Sequence, residues 1–169
     1  MHVSFTLNGK EINLDTEPNK RLLNILRDDV RLTGSKCGCL SGICGLCSVI
    51  FSGDVTPSCL IPAFRLQDKE IITIEHFARS PAYKDIILGF SASGVKTCGI
   101  CDTGKILTAE QILKNHFEKN SNLREAEPLS RKKIAASYET IRCRCTVLGN
   151  LIDGVLTAYD IRSRRLNND

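Results

Sequence analysis

Apolar and polar residues alternate along residues 3–7 (VSFTL) and 11–14 (EINL), the period of a half-buried strand. Between them stands Asn8-Gly9, a pair that supplies the positive-φ positions of a two-residue hairpin turn, so the chain opens on a predicted β-hairpin. The period then becomes helical. Over about 19–29, Leu22, Leu23, Ile25 and Leu26 gather on one face. Residues 48–51 (SVIF) and 54–56 (DVT) flank Ser52-Gly53 as a second predicted hairpin, and 70–75 (EIITIE) reads as a short strand.

After His76 the alternation stops and helical periodicity takes over. Pro81 suits the first turn of a helix reaching about Phe90, with Ser80 as its N-cap. Beyond a break at Ser91 to Gly94, Asp102 is placed to cap a helix over about 103–117, whose Ile106, Leu107, Ile112 and Leu113 share a face. The polar segment 118–129 reads as a loop. Ser130 then caps a helix to about Ile141, and a last amphipathic helix covers about 149–163. The expected class is α+β in two domains, 1–78 built on strands and 79–169 built on helices. Each is small enough to need the other, or a metal centre, for stability.

The cysteines bring chemistry into this frame. Cys39, Cys44 and Cys47 follow the spacing C-x4-C-x2-C, and Cys59 stands further along. That is the plant-type spacing for four thiolates around a [2Fe–2S] cluster. Gly38, Gly42 and Gly45 lie between or beside these ligands, where the backbone must turn tightly and bring amide N–H groups to the sulfurs. A zinc site, a disulfide loop and inert buried thiols are the competing readings. Zinc ligands usually come as two C-x2-C pairs, which the four-residue gap fits poorly. The order hairpin, helix, hairpin, strand is by analogy that of a β-grasp ferredoxin module, and these ligands fall in the loop where such a module carries them.

A second set, Cys98-x2-Cys101 and Cys143-x-Cys145, lies at the ends of predicted helices. Four thiolates converging from two loops make an S4 site that suits zinc or an iron–sulfur cluster; spacing leaves the two nearly even, and the tight C-x-C tips it toward iron. A redox C-x-x-C needs a βαβ context, and the pattern here is helical. Cys37 is left as a spare thiol on the first ligand loop.

Composition narrows the function. The chain has 169 residues, 42% hydrophobic and 25% charged, the balance of an ordinary globular protein. A net charge of +4 with few aromatics and no Trp argues against a nucleic-acid-binding surface. No apolar run approaches a membrane span, and MHVSFTLNGKEINL lacks the apolar core of an export signal. The expected location is the cytoplasm, where clustered cysteines more often hold metals than disulfides. The odd count of nine cysteines agrees. His2, His76 and His116 match no ligand spacing, and the Asp28-Asp29 pair and the arginines of 162–165 read as solvated charge runs. Lys36 and Arg144 flank ligands and are candidates to offset cluster charge. No Ser/His/Asp set, phosphate loop or carboxylate pair stands out, so no catalytic residue is expected in this chain alone.

Leu22-Leu23-x2-Leu26-Arg27, Leu32-Thr33-Gly34-Ser35-Lys36, Gly38-Cys39-x2-Gly42-x-Cys44-Gly45-x-Cys47, Ser58-Cys59-Leu60, Cys98-Gly99-x-Cys101 and Cys143-Arg144-Cys145-Thr146 carry a likeness that extends over nearly the whole chain. In this combination the chain resembles the small iron–sulfur subunit of the molybdenum hydroxylases, the family of xanthine dehydrogenase, aldehyde oxidoreductase and CO dehydrogenase. The resemblance implies a β-grasp ferredoxin domain followed by a four-helix bundle, each with a [2Fe–2S] cluster. Cys39, Cys44, Cys47 and Cys59 would hold the first, and Cys98, Cys101, Cys143 and Cys145 the second. Gly38, Gly42, Gly45, Gly99 and Arg144 would surround them. It further implies a large partner subunit with molybdopterin, where a substrate carbon is hydroxylated with oxygen from water, and a medium subunit with FAD. Electrons would pass from the helical-domain cluster to the ferredoxin-domain cluster and on to FAD.

The departures from the family pattern lie in the second half. Thr97 stands where the family has a Gln whose amide contacts the molybdopterin. Asp102-Thr103-Gly104-Lys105 replaces Thr-Pro-Gly-Met, Thr140-Ile141-Arg142 replaces Gly-Asn-Leu, and Val147-Leu148 replaces Gly-Tyr. The expectation is that both clusters are kept while the surface facing the large subunit has diverged. Two other readings remain: a diverged member with one cluster or with zinc, serving binding or assembly, and a free-standing ferredoxin.

Overall fold

Asn8 and Gly9, at φ 54° and 77°, turn β1 (His2–Leu7) back onto β2 (Lys10–Asp15) in antiparallel register, and Ser52 and Gly53, at φ 48° and 93°, do the same for β3 (Ser48–Phe51) and β4 (Asp54–Pro57). Both turns sit where local chemistry places them. The computed structural model describes residues 1–119, 128–141 and 143–168. With β5 (Glu70–Ile72) the strands form one mixed sheet in the order β2-β1-β5-β3-β4, in which only β1 and β5 run parallel. Period-two alternation puts Val3, Phe5, Leu7, Val49 and Ile71 on one face, buried with Leu22, Ile25 and Leu26. Ile50 and Ile72, facing the other way, pack against the helical half.

Two elements differ from expectation. The first helix starts at Leu22 rather than about Asn19: α1 (Leu22–Asn24) runs on without a break as a π-helical turn at Ile25–Asp29, where the Val30 amide donates to the Ile25 carbonyl at 3.0 Å, so its end falls where expected. Residues before it cannot be helical because Arg21 is extended and bridges to Pro62, and the Leu22 amide donates to the Ile61 carbonyl. The last strand stops at Ile72 rather than running to Glu75. The Asn8 side chain accepts from the Thr73 amide at 2.9 Å and donates to the Thr73 hydroxyl at 3.1 Å, which removes Thr73 from strand pairing and starts the short helix α2 (Ile74–Phe77).

The second half is helical: α3 (Pro81–Ala92), α4 (Asp102–Lys119), α5 (Arg131–Tyr138) and α6 (Leu148–Asn168). Ser80 caps α3 as expected, accepting from the Tyr83 amide at 3.1 Å. Ser130 precedes α5 without a side-chain cap bond, and α5 ends at Tyr138. The loop expected over 118–129 begins later, since Glu118 and Lys119 belong to α4; residues 120–127 lie outside the described residues. Helices α3 and α6 cross at glycines, with Gly89 against the Gly154 carbonyl. Of the arginines read as solvated, Arg164 is exposed but Arg162 and Arg165 are not. Arg162 is 5% exposed, bonded to Asp85, Glu110 and the Ala82 carbonyl, and Arg165 also reaches Asp85. Among the described residues no helix is long and apolar enough to cross a membrane.

Helix α4 joins the halves. The Thr103 hydroxyl donates to the Gly34 carbonyl at 2.8 Å, Gln111 accepts from the Val55 amide at 2.6 Å, and Lys114 donates to the Gly53 carbonyl at 2.5 Å. The helix that starts beside Cys101 is thus also the one seated on the second hairpin and the first cysteine loop.

Candidate metal centres

All nine cysteines are free thiols. In the first set, Cys47 and Cys59 are buried and pack on Leu23, Cys44 is half-buried, and Cys39 is exposed at the rim. Backbone amides aim at the sulfurs: Ser41 and Cys44 donate to Cys39 Sγ at 3.4 Å, and Cys39 donates to Cys44 Sγ at 3.5 Å. Glycine is required at two points. A β-carbon on Gly38 would meet Cys44 Sγ at 2.9 Å, and one on Gly42, which has φ 79°, would meet the Leu60 side chain at 2.3 Å. The contrast within the set is electrostatic. The Ser41 hydroxyl and then the Cys44 amide bring Cys39 down to about 6, whereas burial and then neighbouring Cys47 push Cys59 up to about 11.

In the second set, Cys98, Cys101 and Cys145 place their sulfurs within 4.8 Å of one another, and Cys143 Sγ lies 3.4 Å from Cys145 Sγ. The expected C-x2-C and C-x-C segments therefore converge. Burial first, then Cys143, pushes Cys101 up to about 12; Cys143 is resisted by burial but brought down to about 7 by hydrogen bonds from Cys145 and Cys101. Each set thus pairs a readily ionised thiol with one that stays protonated near neutrality. In the second set three thiolates grouped within 4.8 Å, with a fourth beside one of them, need added positive charge, which iron supplies. In the first set the backbone amides aimed at Cys39 and Cys44 suit an anionic group, and both donor sets fit [2Fe–2S] groups on those grounds.

Gly45 and Gly99 have positive φ, at 70° and 86°, as tight ligand loops require. Arg144 is exposed, and Lys36 donates to the Thr33 carbonyl at 2.6 Å rather than toward a sulfur. Cys37 is exposed. Asp102 is the first residue of α4, and its carboxylate faces backward, accepting from the Gly99 amide at 2.7 Å.

Sequence reasoning noted Lys105 as a departure but missed its position. It is fully buried, with Nζ 2.9 Å from Asp102 Oδ1 and 4.0 Å from Cys145 Sγ, and it donates to the Lys96 carbonyl. Burial works against its charge, but Asp102 holds it above the ordinary lysine value. Thr146 was also missed as a clamp: its hydroxyl accepts from the Lys96 amide at 3.0 Å. The available signal was Asp102 and Lys105 at i,i+3 directly after a ligand.

The two sets meet through α4. A β-carbon on Gly104 would lie 2.9 Å from the Gly45 carbonyl oxygen, so the loop of the first set touches the helix that follows Cys101.

Two domain families match the chain, a 2Fe-2S iron-sulfur cluster binding domain over residues 10–93 and a [2Fe-2S] binding domain over residues 73–156. Each contains one cysteine set. The nicotinate dehydrogenase small FeS subunit of Eubacterium barkeri is 38% identical over 144 residues, covering 85% of each chain. The xanthine dehydrogenase iron-sulfur-binding subunit of Escherichia coli O157:H7 is 30% identical over 154 residues, covering 91% of each. Among solved structures, a chain of quinoline 2-oxidoreductase from Pseudomonas putida 86 superimposes with a TM-score of 0.77 at 30% identity, covering 96% of both. With two [2Fe–2S] domains in this order and relatives that match nearly end to end, the chain belongs to the family of small [2Fe–2S] subunits of the molybdenum hydroxylases, a subunit of oxidoreductase complexes.

Proposed function

We propose that Cys39, Cys44, Cys47 and Cys59 hold one [2Fe–2S] cluster and Cys98, Cys101, Cys143 and Cys145 the other, and that the chain relays electrons between two partner subunits. The partners are a large molybdopterin-binding subunit and a medium FAD-binding subunit of a xanthine dehydrogenase-like hydroxylase. Bound, such clusters accept and release one electron at a time. The chain's own residues position the ligands, aim amides at the sulfurs and keep the two loops in contact. We place the domain boundary near residue 78 and the complex in the cytoplasm.

The observation that carries the reading is the approach of Gly104 to Gly45, which brings the two thiol sets into one body. Exposed apolar side chains rim both sets: Leu40 and Ile43 beside the first, and Ile100, Val147 and Leu148 beside the second. Such side chains suit docking on a subunit at each end better than free diffusion as a ferredoxin. Val147 and Leu148 are family departures, and with exposed Thr97 they form the face toward the large subunit.

A zinc reading of the second set has one observation in its favour, the close grouping of Cys98, Cys101 and Cys145. Iron and acid-labile sulfide per chain, with EPR after dithionite reduction, separates the two. Two clusters give four irons, four sulfides and two reduced signals. Two irons with one signal would mean the second set holds something else, and zinc in both sets would overturn electron transfer.

A further inference from the structure

We infer that Lys105 tunes and positions the second cluster, its buried ammonium stabilising the reduced form there and not at the first cluster; this rests on the ligand assignment proposed above. Three segments carrying second-set ligands meet at this one side chain. From 96–98, the Lys96 carbonyl accepts from Lys105 Nζ. From the start of α4, Asp102 pairs with it at 2.9 Å while holding the Gly99 amide at 2.7 Å. From 143–146, Cys145 Sγ lies 4.0 Å away, and the Thr146 hydroxyl accepts from the Lys96 amide at 3.0 Å. The lysine is locked in place: the Tyr138 hydroxyl donates to its carbonyl at 2.9 Å, and its amide donates to the Cys101 carbonyl at 3.0 Å.

A cluster on four thiolates is anionic and gains a further negative charge on reduction. A fixed cation at a ligand sulfur, shielded from water, therefore favours the reduced form. Asp102 offsets only part of this. Its carboxylate, held at the Gly99 amide, acts on Cys98, while the ammonium acts on Cys101 and Cys145, so the pair is an oriented dipole whose positive end faces more of the ligand set. The effect falls on the second cluster alone, and the first serves as an internal reference. Raising the potential of the cluster nearer the hydroxylating subunit would make it the readier electron acceptor.

The test is an EPR-monitored redox titration of the purified complex, with the second-cluster signal identified as the one that Cys101→Ser removes. Lys105→Met, which keeps length without charge, should disfavour reduction of that cluster about tenfold, about 59 mV downward for one electron, with the other signal unmoved. Asp102→Asn, which keeps the lysine and removes the opposing charge, should shift the same signal upward. If Lys105→Met loses the second cluster, Asp102→Asn still decides the sign. Full iron with no shift in either variant, or equal shifts in both clusters, overturns the inference. Absence of a second-cluster signal from the unmutated complex would instead overturn the ligand assignment.

Discussion

Gly104 on α4 faces the carbonyl of Gly45 so closely that a β-carbon there would stand 2.9 Å from its oxygen. Gly45 lies between two cysteines of the first set, and Gly104 follows Cys101 by three residues. The contact is therefore where the two candidate clusters come together through the backbone. The neighbouring bond from Thr103 to the Gly34 carbonyl, at 2.8 Å, pins the same junction.

Gly104→Ala should be destabilising although Ala is the better helix former. Helix propensity alone favours Ala by about 1 kcal/mol. Forcing a methyl against a backbone carbonyl costs about 1–3 kcal/mol, and here the obstacle cannot rotate away. The expected outcome is a lower denaturation midpoint with both EPR signals retained and slower electron exchange between the clusters. An unchanged midpoint and exchange rate would show that the junction opens without cost.

Asp85 tests the buried charge network between α3, α4 and α6. It is 3% exposed and receives Arg162 Nε at 3.2 Å and an Arg165 guanidinium nitrogen at 2.7 Å. Asp85→Asn leaves the Arg162 guanidinium buried with Glu110 as its remaining carboxylate. Breaking a buried pair from one side costs about 3 kcal/mol or more. Urea unfolding should show the loss, and iron content should be unchanged at full folding.

These cases show what could be read from the chain and what could not. Asn8-Gly9 and Ser52-Gly53 were legible because turn chemistry is local. The cysteine spacings are local in the same way, and the C-x2-C at Cys98 and the C-x-C at Cys143, far apart in the chain, do come together in the fold. The end of β5 was not legible, because it is imposed by Asn8 from far earlier in the chain. The first helix was cut short by pairing of Arg21 with Pro62, another distant partner. Arg162 and Arg165 looked solvated because their partners Asp85 and Glu110 lie on other helices. Lys105 was visible as an anomaly, but only packing shows that it is buried beside a ligand.

The cysteines themselves predict different outcomes. Cys37 stands outside the C-x4-C-x2-C spacing of Cys39, Cys44 and Cys47, so Cys37→Ser should keep the full iron content and both EPR signals. Cys59 is buried against Leu23 and Cys47, and Cys59→Ser should lose the first signal while keeping the second. Loss of iron from Cys37→Ser would reassign the ligand set.

At the crossing of α3 and α6 a β-carbon on Gly89 would meet the Gly154 carbonyl oxygen at 2.5 Å and the Ala158 amide nitrogen at 2.6 Å. The two helices would have to separate along their closest contact, losing burial of Phe90 and Val155. Gly89→Ala should lower stability by about 1–3 kcal/mol, more than its gain in helix propensity. Thermal unfolding of the iron-loaded protein measures it, and an unchanged or higher midpoint would show that the crossing has slack.

His116 gives the stability a pH dependence of known sign. It packs edge-on against Tyr159 at 5.1 Å and Phe117 at 6.0 Å, and burial first, then the Lys133 ammonium on α5, hold it below the ordinary histidine value. The unfolded chain therefore binds this proton before the folded one does. As pH falls below about 6.5, the ordinary histidine value, protonation favours the unfolded state, and stability drops until the folded-state value is reached. His116→Phe keeps a ring against Tyr159 and removes the proton. Urea midpoints for both proteins from neutral to mildly acidic pH should diverge, with the unmutated protein losing more on the acid side. Other titrating groups are common to both, so parallel profiles would show that His116 does not contribute.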